Sequence, residues 1–196
     1  MTEKEKAKAG QLYNPNTDEE IGREIIKCKD LCHQYNQLLP SQCQEKEKLM
    51  RSILGKMGKA FAIVSPFWCD YGYNIEIGDD FYANHNCVIL DGAKVKFGSH
   101  VFIAPNCCFA TAGHPLNMEQ RNEGLEYAYP ITIGNNVWIG AGVTVLAGVT
   151  IGDNTVIGAG SLVNKDIPAD VVAVGNPCKV LRKITEDDRL KYGFRE

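Results

Sequence analysis

Residues 133–168 read IGNNVWIGAGVTVLAGVTIGDNTVIGAGSLVNKDIP, and one repeat runs through all of them. Aliphatic residues stand at Ile133, Ile139, Val145, Ile151, Ile157 and Val163. Four residues after each come Val137, Val143, Val149, Thr155, Ser161 and Ile167, making six uninterrupted hexapeptides. A period of six matches neither the 3.6 of a helix nor the simple alternation of a long strand. It matches a coil of short strands in which three hexapeptides close one triangular turn and stacked turns form parallel sheets. The aliphatic positions then fill a narrow prism, and Gly, Asn and Asp take corners where left-handed backbone is cheap.

Working upstream, the same phase returns at Ile77, Ala83 and Ile89, and again after two extra residues at Phe97, Ile103 and Phe109. It breaks only between His114 and Ile133. Five coils follow, at 59–76, 77–94, 97–114, 133–150 and 151–168, with the loop 115–130 ejected. Residues 1–57 are Lys/Glu-rich and read as a helical cap. Thr17 to Glu20 has the form of a capping box, Ile21, Ile25, Leu31, Tyr35 and Leu38 roughly follow a helical stripe, and Gln42 to Met57 reads as a second helix after Pro40. The expected organisation is a cap over 1–57, a mainly β parallel β-helix over 58–170, and a C-terminal tail over 171–196.

With 196 residues the chain has about one domain's length, and a net charge of -3 without a broad Lys/Arg stripe argues against nucleic acid. No stretch approaches the ~20 apolar residues of a membrane span, and the start MTEKEKAKAG is charged where a signal peptide is apolar, so a cytoplasmic protein is expected. The eight cysteines read as reduced thiols. Cys28 and Cys32 share a helix face beside His33, but no second Cys/His pair follows at zinc-site spacing, and no metal is expected there.

The repeats, together with NPNTDEE (14–20), FWCDYGYNIEIG (67–78), FYANHNCVILD (81–91), IAPNCCFATAGHPL (103–116), GLEYAYPITIGNNVWIGAG (124–142) and GNPCKVLRKI (175–184), resemble the maltose and galactoside O-acetyltransferases along essentially the whole chain. The resemblance implies a left-handed coil, against the usual right-handed crossover. It also implies acetyl-CoA as cosubstrate, a sugar hydroxyl as acceptor, and a homotrimer with sites between subunits.

Acetyl transfer from a thioester needs a base for the hydroxyl proton and donors for the developing oxyanion. Of four histidines, His33 lies on the cap, and His85 and His100 fall on outward repeat positions. His114 ends a coil where the repeat breaks, and the family's catalytic histidine falls on it. The resemblance places Asn84 and Asp70 in the acceptor site, and Asp70 and Glu126 match the maltose branch. The galactoside branch has Ser at the first of these, an acidic residue where this chain has Gly92, and another where it has Pro15. For CoA the matching positions are Trp138, Ala141, Ala159, Asn164, Lys165, Lys179 and Arg182. The Ala141 N–H is then the candidate oxyanion donor and the three cations are phosphate partners. The galactoside branch carries Ser, Thr and Arg at Ala141, Asn164 and Lys179. Three other readings are a zinc carbonic anhydrase, which needs three converging histidines, a non-catalytic scaffold, and an acetyltransferase for amino sugars or non-sugar hydroxyls.

Overall fold

The structure is a computed structural model that describes residues 1–190. The last six residues of the expected tail, 191–196, lie outside the described residues.

Short strands stack into three parallel faces, as the period of six requires. The first face runs Phe61–Ile63, Phe81–Ala83, Phe102–Ile103, Trp138–Ile139, Val156–Ile157 and Val171–Val174. The second runs Phe67–Cys69, Cys87–Leu90, Cys108–Ala110, Thr144–Leu146 and Leu162–Val163, and the third Ile75–Glu76, Val95–Phe97, Ile131–Ile133 and Thr150–Ile151. Register is kept from coil to coil: Ala83 pairs with Ile103, Ile103 with Ile139, and Ile139 with Ile157. No helix among the described residues is long and apolar enough to cross a membrane.

From Phe67 with Cys69 through Ser161 with Val163, both residues of each hexapeptide core pair are buried, including Val137 with Ile139, Val143 with Val145 and Val149 with Ile151. Each buried Val, Ile or Phe among them contributes roughly 1.5–3 kcal/mol by leaving water. Phe81, Phe97 and Phe109 stack edge to face down the prism at 5.2 and 5.0 Å between ring centres. Asn86, Asn106, Gly142 and Gly160 occupy one left-handed corner with φ from 59° to 69°. Asp80, His100, Asn136, Asn154 and Asp170 occupy another with φ from 50° to 61°. Gly tolerates this region because it has no Cβ, and Asn and Asp because their short polar side chains can hydrogen-bond locally. His100 does so beside Asp80, with Nδ1 3.3 Å from Oδ2.

Three details depart from the sequence reading. Asp18, not Thr17, caps the long helix: its Oδ1 accepts the N–H groups of Glu20 and Ile21, while Thr17 belongs to a 3-10 turn, Pro15–Thr17. A full capping box does occur, at Thr2 and Glu5, ahead of a first short helix. The cap therefore holds α1 (Glu3–Lys8), α2 (Glu19–Gln37) and α3 (Cys43–Ile53). Second, α3 stops at Ile53, because residues beyond it join the coil: the Lys56 and Gly58 N–H groups donate to Ile75 and Ile77. Third, the first face continues past Pro168 through Val171–Val174 and is capped by an antiparallel strand, Lys179–Lys183. Helix α2 docks on the first coil through Tyr35, whose hydroxyl donates to the Ile63 carbonyl. Asn36 helps by exchanging two hydrogen bonds with the Phe67 backbone.

Candidate active site

Where the repeat breaks, the chain makes a hairpin. Ala112–Gly113 pairs antiparallel with Tyr127–Ala128, and a short helix α4 (Met118–Asn122) lies between them. A Cβ on Gly113 would meet the Tyr127 ring and hydroxyl, so a larger residue there would have to displace that side chain. His114 follows at once and is half exposed. Its Nδ1 lies 3.0 Å from the Leu125 carbonyl oxygen. A carbonyl only accepts, so Nδ1 carries the hydrogen, and in the neutral imidazole Nε2 keeps its lone pair. Nε2 lies 3.9 Å from Glu126 Oε1. The returning arm of the ejected loop thus both orients the imidazole and sets a carboxylate beside its free nitrogen.

Glu126 is held in turn. Its Oε2 accepts from the Tyr13 hydroxyl at 3.1 Å, and the two backbones exchange hydrogen bonds of 3.0 and 2.8 Å. Tyr13 is buried, and burial with the nearby Glu126 charge pushes its hydroxyl well above the usual phenol range, so it remains a donor. Tyr13 and Glu126 line a cleft of about 580 Å³ together with Asp70, Tyr71, Gly92 and Ala112. Asp70 accepts from Lys29 at 2.7 Å and is partly exposed to the cleft.

The turn that presents Asp70 is fixed from behind. Asp91 is fully buried, and its Oδ1 accepts the N–H groups of both Asp70 and Tyr71 at 2.9 Å. Burial raises its carboxyl to about 6, against the opposing pull of those two N–H donors. Its other oxygen, Oδ2, has no partner among the described residues.

A second set of expected residues lies on a different edge of the prism, after the first face. Asn84 Oδ1 accepts from the His85 N–H at 2.8 Å. In the following coils the residues at His85's level are Pro105, Ala141 and Ala159. The carbonyls of His85, Pro105 and Ala141 each accept from the next coil at 2.8–2.9 Å. The N–H of Ala141 has no acceptor among the described residues, which leaves a backbone donor free at an exposed corner. Beside this edge Trp138 is 54% exposed and pairs in register with Phe102, 51% exposed; with Tyr82 and Asn84 they line a shallow hollow. Asn164 and Lys165 are exposed at the corner after the second face, and Lys179 and Arg182 lie on the terminal antiparallel strand. Arg182 is not idle: it grips Asp188 with two hydrogen bonds of 2.7 and 2.6 Å.

One chain therefore brings His114, Glu126 and Asp70 to the cleft side and sets Asn84, Trp138, Ala141 and Ala159 along another edge. The periodicity did not single out Tyr13, Lys29, Tyr71 or Asp91. Within the motif FWCDYGYNIEIG, Phe67 packs in the buried coil core while Tyr71 lines the cleft. Tyr13 carries no periodic signal because it enters through an isolated bridge to Glu126. His33 is exposed, and His85 Nδ1 lies 2.9 Å from the Ser65 carbonyl, so neither joins His114 in a three-histidine set.

Comparison with known proteins gives this geometry its context. Residues 6–58 match the maltose acetyltransferase hexapeptide capping motif, and residues 130–165 match six bacterial transferase hexapeptide repeats. An acetyltransferase-like protein of Saccharomyces cerevisiae is 54% identical over 95% of both chains. Among solved structures, a maltose O-acetyltransferase from Clostridium difficile superposes with a TM-score of 0.93 at 48% identity, covering 95% of this chain and 99% of that one. A galactoside acetyltransferase in complex with coenzyme A gives 0.94 at 43% identity, covering 100% and 97%. A hexapeptide-repeat acetyltransferase from Vibrio cholerae complexed with acetyl coenzyme A gives 0.86 at 36%, covering 95% and 100%. By fold, cap, repeats and identity along its length, the chain belongs to the maltose acetyltransferase family of hexapeptide-repeat O-acetyltransferases.

Proposed function

We propose that the protein transfers the acetyl group of acetyl-CoA to a hydroxyl of a maltose- or glucose-like sugar, with His114 as general base. The observation that carries this reading is the Nδ1 contact of His114 with the Leu125 carbonyl, which leaves Nε2 as a proton acceptor 3.9 Å from Glu126, a residue that lines a cleft with Asp70. In a ternary complex the acceptor hydroxyl oxygen attacks the thioester carbon while its proton passes to Nε2. The Ala141 N–H stabilises the tetrahedral oxyanion. Collapse expels the CoA sulfur, which takes the proton back from Nε2, and His114 returns to its starting state.

Acetyl-CoA as cosubstrate is supported by relatives solved with coenzyme A and acetyl coenzyme A. Small residues at Ala141 and Ala159 give the pantetheine arm a flat edge, Trp138 an apolar neighbour, and Asn164 a polar one. Lys165, Lys179 and Arg182 supply charge for the phosphates, with Asp188 releasing Arg182 as the anion arrives. Asp70, the carboxylate shared with the maltose branch, binds paired sugar hydroxyls. Because Asn84 and Ala141 lie on a different edge from His114, a complete site forms between neighbouring copies in a trimer, the exposed Trp138–Phe102 strip facing the adjoining subunit. A cytoplasmic setting matches the supply of acetyl-CoA.

The test is release of CoA thiol with maltose, glucose, a galactoside, an amino sugar and serine as acceptors. Sugar-dependent release, greatest with maltose or glucose, is the predicted result. Release only with serine or an amino sugar would reassign the acceptor, and no release despite CoA binding would contradict the activity.

A further inference from the structure

Three cysteines from two elements meet behind the acceptor cleft. Cys28 and Cys32 lie one turn apart on the buried face of α2, and Cys69 ends the strand Phe67–Cys69 beneath them. Cys69 Sγ is 3.5 Å from Cys28 Sγ and 3.7 Å from Cys32 Sγ, and all three sulfurs lie within 4.8 Å of one another. All three side chains are buried. Three thiolates at ~2.3 Å around a zinc-sized ion stand about 4 Å apart when coplanar and about 3.8 Å apart when tetrahedral. The cluster therefore already has nearly the spacing a metal imposes, with a small expansion on binding.

We propose that Cys28, Cys32 and Cys69 form a buried three-thiolate site for a soft, d10 metal ion that staples the helical cap to the first coil. Sulfur-only donors select soft or borderline ions such as Cu(I), Zn(II) and Cd(II) over hard ones such as Mg(II) and Ca(II). Among the described residues this is the one group of His, Cys, Asp and Glu side chains with metal-binding geometry. Binding a divalent ion releases three protons, one from each thiol, and leaves a site of net charge −1. The ammonium of Lys29, adjacent in sequence to Cys28, partly offsets that charge, while the carboxyl of Asp91 opposes it. Each arm of the site adjoins the acceptor contact: Cys69 precedes Asp70, and Cys28 precedes Lys29, the ion-pair partner of Asp70.

The probe is Cd(II), added to the reduced full-length protein under anaerobic conditions and followed by the ultraviolet thiolate-to-cadmium charge-transfer band. One Cd(II) per chain is expected. Cys28→Ser, Cys32→Ser and Cys69→Ser should each weaken binding at least about 10-fold, and replacement of the exposed Cys43 should leave it unchanged. X-ray absorption on the wild-type Cd(II) protein counts the sulfurs directly and does not depend on any variant folding. Three sulfur neighbours support the site. A shell dominated by oxygen or nitrogen, binding below one ion per chain, or full binding by a folded Cys69→Ser protein would overturn it.

Discussion

His114 shows how much one residue owes to its neighbours. Its position at the break in the repeat was readable from the sequence, but its tautomer was not, because that depends on the Leu125 carbonyl returning across the hairpin. The supporting acids divide in the same way. Glu126 and Asp70 were found through motif resemblance, whereas Asp91 reads like any corner Asp, and only burial distinguishes it. That burial makes a prediction. With its carboxyl raised to about 6 in the fold from 3.8, Asp91 binds a proton more tightly folded than unfolded. Its favourable contribution is present below about pH 4 and is lost as pH rises through about 6. Relative to Asp91→Asn, the wild type should lose about 2 kcal/mol of unfolding free energy between pH 4 and pH 7, measured by urea melts at each pH. Parallel curves for the two proteins would contradict the buried, proton-retaining carboxyl.

At the scale of elements, the hexapeptide faces were legible up to Ile167, since a two-residue core pair recurring every six positions leaves little freedom. Cap and tail were less so. Thr17 and Asp18 both suit an N-cap, and what decides between them is the 3-10 turn Pro15–Thr17, which uses Thr17 and leaves Asp18 at the helix entrance. Asp18→Ala should therefore cost about 1 kcal/mol of stability in thermal or urea unfolding, and Thr17→Ala appreciably less. The opposite order would restore Thr17 as the cap. Likewise, the end of α3 was read too late because apolar residues continue past Ile53. The ladder bonds of Lys56 and Gly58 to the next coil turn that stretch into strand-like backbone. The continuation of the first face through Val171–Val174 was missed because the repeat slips after Ile167: Val171 and Ala173 are buried as a core pair, but out of the phase that runs from Ile133.

The whole molecule poses the question of why Asn84 and the CoA edge lie apart from His114 in one chain. The proposed trimer, with sites between subunits, would resolve it, and light scattering should then give three chains. The sharper test is complementation. Asn84→Ala and His114→Ala homotrimers should each be nearly inactive. After dissociation and co-refolding, mixed trimers should recover activity, because some interfaces then pair an intact Asn84 with an intact His114. Mixing without recovery, when mixed trimers are shown to form, would mean that each site is built within one chain.

The most direct measurement for the central claim is the rate of CoA thiol release with a saturating sugar acceptor, wild type against His114→Ala, with acetyl-CoA affinity determined for both by calorimetry. The account predicts that the variant binds acetyl-CoA as the wild type does and loses activity by about 10²–10⁴-fold. A variant that keeps more than roughly a tenth of the wild-type rate would contradict His114 as the base, since a positioned base supplies at least about 100-fold.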